Sequence, residues 1–162
     1  MRLGYVLPLL TSATGQVFLT YLDESETMAV RQDEIAAAKR DSSDETTALA
    51  PRVTNTKDIQ KIIETVRKQG YAMTINSINS SFAAVAAPVF DYSGRIVATM
   101  TVLGSDKQLA GPRKKPTIDA LMAAAHRLSE RLGAPGRKAK GGGDVTPPVA
   151  PKPTRTKSAA GR

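Results

Sequence analysis

The chain has 162 residues, 41% of them hydrophobic, and no cysteine. That length fits one core-bearing domain, and the absence of cysteine excludes disulfides, thiolate metal sites and cysteine nucleophiles. The net charge is +8, which on its own points toward anionic partners, so where the charge lies along the chain matters.

Met1–Leu10 carries one charge and a short apolar run broken by Pro8. Its polar continuation, Thr11 to Gln16, argues against a signal peptide. No run reaches the roughly 20 apolar residues of a membrane span. We expect a cytoplasmic protein with no membrane partner. Val17, Phe18, Tyr21 and Leu22 recur at helical spacing and make one apolar stripe, with Ser12 or Thr11 as candidate cap. Residues 23–55 are polar and weakly patterned. Within them Gln32–Arg40 is expected as a short helix, Asp41–Thr47 as an acidic loop, and Asp23, Glu24 and Glu26 as a solvated acidic turn.

Thr56 is the expected cap of the next helix, with Asp58 in its first turn. Ile59, Ile62, Ile63 and Val66 form its core stripe, and Gly70 ends it. Tyr71–Ile75 reads as a strand and Asn76–Ser81 as a polar loop. Phe82–Phe90 and Arg95–Leu103 flank Asp91-Tyr92-Ser93-Gly94, a hairpin signal. Opposed residues should then sum to 185, placing Ala84 opposite Thr101 and Phe82 opposite Leu103. Those four share one sheet face, because side chains alternate along a strand. The other face, from Val85 to Val102, is bulkier and wholly apolar, and is the expected core face.

Gly104–Lys115 reads as a loop ending in Arg113-Lys114-Lys115, expected to be solvated. Pro116 suits a first helical position. Ile118, Leu121, Met122, Ala125, Leu128 and Leu132 make the stripe of a last helix that Gly133 ends. Residues 134–162 hold seven Lys/Arg against Asp144, a net +6 of the chain's +8, with five prolines, five glycines and no aromatic residue. Such a segment cannot bury enough apolar area to offset its ordering entropy, so 134–162 is expected to be a disordered basic tail and 1–133 the folded domain. The tail's charge suits weak, salt-dependent contact with nucleic acid or anionic surfaces, without aromatic stacking. The fold class is α+β, an antiparallel sheet with one face covered by helices.

Catalytic chemistry has no foothold. His126 is the single histidine and is expected at the surface. No Gly-x-Ser-x-Gly elbow, phosphate loop or metal-ligand spacing is present. We expect no enzyme, no cofactor and no metal.

Four segments resemble, in order, the effector-binding domain of IclR-type bacterial transcription regulators. They are Leu7–Gly15 with Val17-Phe18-Leu19 and Tyr21-Leu22, Arg67–Ala72, the hairpin from Ala86-Ala87-Pro88-Val89-Phe90-Asp91 to Thr101-Val102-Leu103-Gly104, and Leu128–Gly133. The resemblance covers roughly residues 2–133. It implies a GAF-like domain that senses a small organic or aromatic acid and controls DNA binding through oligomer geometry. Its pocket would fall on Ala13, Thr14, Thr74, Phe82, Ala84, Thr101 and Leu103. Thr74 stands where some relatives carry an acid, and Leu103 where the family has a serine, which favours a more apolar or aromatic acid.

Family members carry a winged helix-turn-helix and further strands ahead of this domain. The resemblance therefore implies DNA contact only through a domain outside this sequence, and a homo-oligomer or a full-length IclR-type regulator as partner. It also implies a sheet edge left uncovered and a marginal, dimeric or aggregation-prone 1–133. A different reading of the same residues is a ligand-free oligomerisation module with a basic tail.

Overall fold

The computed structural model describes residues 6–40, 53, 55–75 and 82–135. The expected acidic loop at 41–47, the polar loop at 76–81 and nearly all of the expected tail lie outside these. In chain order the elements are α1 (Ala13–Tyr21), α2 (Glu24–Arg40), α3 (Thr56–Gln69), β1 (Ala72–Ile75), β2 (Phe82–Phe90), β3 (Ile96–Ser105), α4 (Asp106–Ala110) and α5 (Lys114–Arg131).

The caps set these boundaries. Ser12 starts α1 by accepting the Gly15 N–H at 3.0 Å. Asn55, not Thr56, caps α3 and accepts the Asp58 N–H at 3.0 Å. Asn55 adopts the extended backbone a cap needs, so Thr56 is the first helical residue. Gly70 ends α3 at φ 78°, a left-handed conformation that side chains resist, and returns its N–H to Val66.

The sheet is antiparallel with order β1-β2-β3. Its register corrects the expected one. The Asp91 N–H bonds Arg95, not Gly94, at 3.0 Å, and Gly94 sits at φ 78°. This is a three-residue loop with a glycine bulge. A second irregularity follows, because Phe90 faces Ile96 while Val89 faces Ala98, leaving Val97 over. Together they shift the pairing by two, so Ala84 faces Leu103, Ala86 faces Thr101 and Phe82 faces Ser105. Past both irregularities a shift of two restores side-chain parity, so the expected faces keep their members except Ile96. Ile96, expected beside Val85 and Val89, precedes the second irregularity and lies on the α1 side with Phe90.

Both faces are covered, whereas one was expected. Val85, Ala87 and Val89 pack on Ile118, Leu121 and Ala125 of α5. Ala72, Ala84, Ala86 and Ile96 pack on Ala13, Val17 and Val66 of α1 and α3. Tyr21 meets Phe90 edge-on there, with ring centroids 5.2 Å apart. A third cluster, Leu10, Leu19, Val53 and Ile59, lies on the other side of α1.

Two helices depart from the expectations. The weakly patterned stretch after Leu22 is one 17-residue helix, α2. Its acidic cluster is its start: Glu26 accepts the Asp23 N–H at 3.2 Å, and Glu24 and Glu26 sit in the first turn. Its inward residues are Thr27, Arg31, Glu34 and Ile35, too polar to give a hydrophobic stripe. The expected 104–115 loop contains α4, which buries Leu109 and is capped by Ser105. α5 then begins at Lys114, so Pro116 lies within its first turn instead of opening it.

Candidate effector site

Three ladder rows build the α1-facing side of the sheet. Ala72, Ala86 and Thr101 form one, and Thr74, Ala84 and Leu103 the next. Phe82 and Ser105 form the outermost. The first turn of α1 lies over them. Ala13 is buried in the same cluster as Ala72, Ala84 and Ala86. The Thr14 hydroxyl hydrogen-bonds the Thr101 hydroxyl at 2.9 Å.

Five of the seven residues singled out from the sequence, Thr74, Phe82, Ala84, Thr101 and Leu103, share one sheet face, and the other two, Ala13 and Thr14, sit at the helix start over it. They are not equally open. Ala13 and Ala84 are buried packing residues, Thr14 and Thr74 are half-buried, and Phe82 and Leu103 are 42% and 47% exposed. The face closes under α1 at Ala86 and opens outward past Leu103.

The chemistry of this face is neutral. α1 has no acid in its first turn. Ser12 takes the Gly15 N–H through its hydroxyl and the Gln16 N–H through its carbonyl. The Ala13 and Thr14 N–H groups have no acceptor among the described residues. A helix N-terminus over hydroxyls and apolar side chains can accept a carboxylate, with the helix dipole adding attraction.

The rest of the surface is less organised. An open groove of about 480 Å³ lies elsewhere, lined by Tyr71, Gly111, Pro112, Lys114, Lys115, Ile118 and Asp119. Lys115 pairs with Asp119 at 2.7 Å, and that hydrogen bond raises the lysine pKa. Arg113, Lys114 and Lys115 are all exposed, as expected, although two of them are helical. His126 is half-exposed beside Glu130 at 3.4 Å. Among the described residues no three His, Asp or Glu side chains cluster closely enough to hold a metal ion. No helix among them is long and apolar enough to cross a membrane.

One contact was missed from the sequence. Glu34 on α2 accepts the N–H groups of Leu9 and Leu10, at 2.6 and 2.9 Å. The expected helix at Gln32–Arg40 held Glu34, but nothing local in the sequence marks its partners, 24 and 25 positions away.

The fold is α+β, a three-stranded antiparallel sheet with helices on both faces and one helix start over the Thr101 side. A family profile described as bacterial transcriptional regulator IclR C-terminal matches residues 1–130, and the chain belongs to that family. The regulator KdgR of Escherichia coli K12 is 26% identical over 132 residues, covering 82% of this chain and 47% of its own length. The crystal structure of Pseudomonas aeruginosa HmgR matches with a TM-score of 0.68 and 29% identity, over 85% of this chain and 50% of that one. The Thermotoga maritima IclR structure matches with a TM-score of 0.62 and 25% identity, over 82% and 50%. The chain thus spans about half the length of the curated relatives it matches. Those relatives are transcription regulators, not enzymes.

Proposed function

We propose that this domain senses a small organic acid, more apolar or aromatic than polar, seated between the first turn of α1 and the outer rows of the sheet. The observation that carries this is the Thr14–Thr101 contact, which holds over an uncharged face a helix start whose Ala13 and Thr14 N–H groups have no acceptor among the described residues. The ligand's carboxylate would take the Ala13 and Thr14 N–H groups. Its apolar body would lie against Ala84, Leu103 and Phe82, with Thr74 and Thr101 at its flanks. Small-molecule sites commonly pair an apolar lining with a few placed polar groups.

Occupancy would bias the geometry of an oligomer, either of this chain or with a full-length regulator of the family. DNA contact would come through a domain outside this sequence. That is a population shift, and it needs only differential affinity for two assembly geometries.

Thermal melting with a panel of aliphatic and aromatic acids, from acetate and pyruvate to benzoate, tests the reading. A ligand that binds only the native state adds about 2.7 kcal/mol at a hundredfold excess over its Kd. No shift with any acid would favour the ligand-free oligomerisation module, for which the buried Ala84 and Ala86 against α1 are simple packing.

A further inference from the structure

We propose that Glu34 is a positioning residue for this effector site, holding the start of α1 in place from the neighbouring helix α2. The inference rests on the site proposed above and adds a residue that neither the sequence pattern nor the ladder rows would select.

The geometry is a two-point clamp. Glu34 Oε1 accepts the Leu9 N–H at 2.6 Å, and Oε2 accepts the Leu10 N–H at 2.9 Å. Bonds from backbone N–H to a carboxylate are charge-assisted and stronger than neutral ones. Two of them on consecutive amides fix orientation as well as distance. The clamped segment has little freedom beyond that point. Ser12 donates its hydroxyl to the Pro8 carbonyl at 2.6 Å and, with the same oxygen, caps Gly15. Gln16 donates its side-chain amide to the Leu10 carbonyl at 3.0 Å.

Gly15 shows how close the two pieces lie. A Cβ there would stand 2.4 Å from the Pro8 carbonyl oxygen and 2.5 Å from that of Leu9. The 8–10 backbone therefore rests directly on the first turn of α1. Moving Leu9 and Leu10 moves Gly15, and Thr14 beside it.

α2 also touches the core through Ile35, which packs on the Leu10–Leu19 cluster. Thr27 is its one buried residue among those described, and Met28 and Val30 on its outer surface are 47% and 45% exposed. Glu34 supplies the hydrogen bonds by which this helix holds the backbone that carries the site. By linkage, a ligand that shifts the start of α1 shifts α2, and a displacement of α2 changes the site by the same coupling.

Glu34→Gln tests the proposal in the full chain. It keeps the size, preserves one acceptor, and turns an NH₂ toward the second amide. The readout is amide hydrogen exchange by NMR, with Val85 and Val89 in β2 as internal reference because both are fully buried. The expected result is exchange at Gly15 and Gln16 at least about tenfold faster, with Val85 and Val89 unchanged. Glu34→Asp, which keeps the charge on a shorter arm, should fall between the two.

Two results overturn the proposal. One is faster exchange confined to Leu9 and Leu10, which makes the clamp local. The other is a uniform rise that includes Val85 and Val89, which makes Glu34 a general stabiliser. Melting the wild type with the acid panel is the separate check. If no acid shifts it, the effector reading fails, while the exchange contrast still decides whether Glu34 holds α1.

Discussion

The Thr14 and Thr101 hydroxyls meet at 2.9 Å across 87 positions of sequence, and that bond ties the first turn of α1 to the outer strand β3. It is exposed, so its net contribution to stability is small, about 0.5–1.5 kcal/mol for a typical hydrogen bond. Thr101→Val should lower the melting temperature slightly. Thr101→Phe should leave the domain folded, because the position is exposed, and should abolish any melting shift produced by an acid. A shift that survives Thr101→Phe places the ligand elsewhere.

Gly15→Ala should be one of the most damaging small substitutions in the domain. The atoms a methyl would strike are the Pro8 and Leu9 carbonyls, which are backbone and cannot rotate aside. Overpacking costs typically about 1–3 kcal/mol, and a backbone obstacle puts this position at the upper end. Urea unfolding should show a lower midpoint at unchanged slope. A midpoint equal to that of the wild type would mean that the 8–10 segment yields easily, and would weaken the coupling assigned to Glu34.

How much of this was legible in the sequence depended on what kind of signal each feature left. The stripe Ile59, Ile62, Ile63, Val66 and the stop at Gly70 are local, and α3 lies where they put it. The faces of β2 and β3, Ile96 apart, were legible from alternation even though the register was not. Two bulges, at Gly94 and Val97, each add one residue, and neither announces itself in a run of small apolar side chains. Pairing parity survived because the two errors cancel modulo two.

α2 was legible only in its second half, Gln32–Arg40, for a different reason. It docks through Thr27, Arg31 and Glu34, polar residues whose role is set by partners distant in sequence. The gathering of Ala13, Thr14, Thr74, Phe82, Ala84, Thr101 and Leu103 followed from the resemblance together with strand parity. Composition alone would have given none of them.

Ser129 predicts a larger loss than its size suggests. Its hydroxyl accepts the Phe90 N–H at 3.0 Å and donates to the Ala125 carbonyl at 2.9 Å, joining α5 to the end of β2. The side chain is buried. Ser129→Ala leaves the Phe90 N–H without its partner, at a cost of about 1–3 kcal/mol. The Phe90 amide should also become the first of β2 to exchange with solvent. Unchanged Phe90 protection would mean that another acceptor takes over.

The hairpin tip carries a pH dependence of definite sign. Asp91 accepts the Ser93 hydroxyl at 2.7 Å and the Ser93 and Arg95 amides at 2.9 and 3.1 Å. The Ser93 hydroxyl bond is the main cause holding the Asp91 carboxyl below its ordinary value. Desolvation opposes it, and the amides and the Arg95 charge add to the lowering. A depressed native pKa gives stability that is present above the unfolded value and is lost as pH falls through the native one. The Ser93 and Arg95 amide resonances should therefore titrate with a midpoint below that of an ordinary aspartate. Asp91→Asn should remove the titration. A midpoint at or above the ordinary value would contradict the turn geometry.

The remaining prediction concerns β3. It is the last strand of the described sheet, and no described strand pairs with its outer edge. Its ten residues, Ile96 to Ser105, include no charged residue and no proline, the usual devices that discourage edge pairing. Its irregularity sits at one end, near Val97, and leaves the rest regular. Val97 and Leu103 are 50% and 47% exposed. An edge of this kind should recruit a second strand, so the protein should run larger than its 17.2 kDa monomer in light scattering. Val97→Lys places a charge at an exposed position of that edge and should shift the population toward monomer without loss of helical signal. A wild type that is monomeric at all concentrations, with a sharp and high melt, would overturn this prediction of edge pairing through β3.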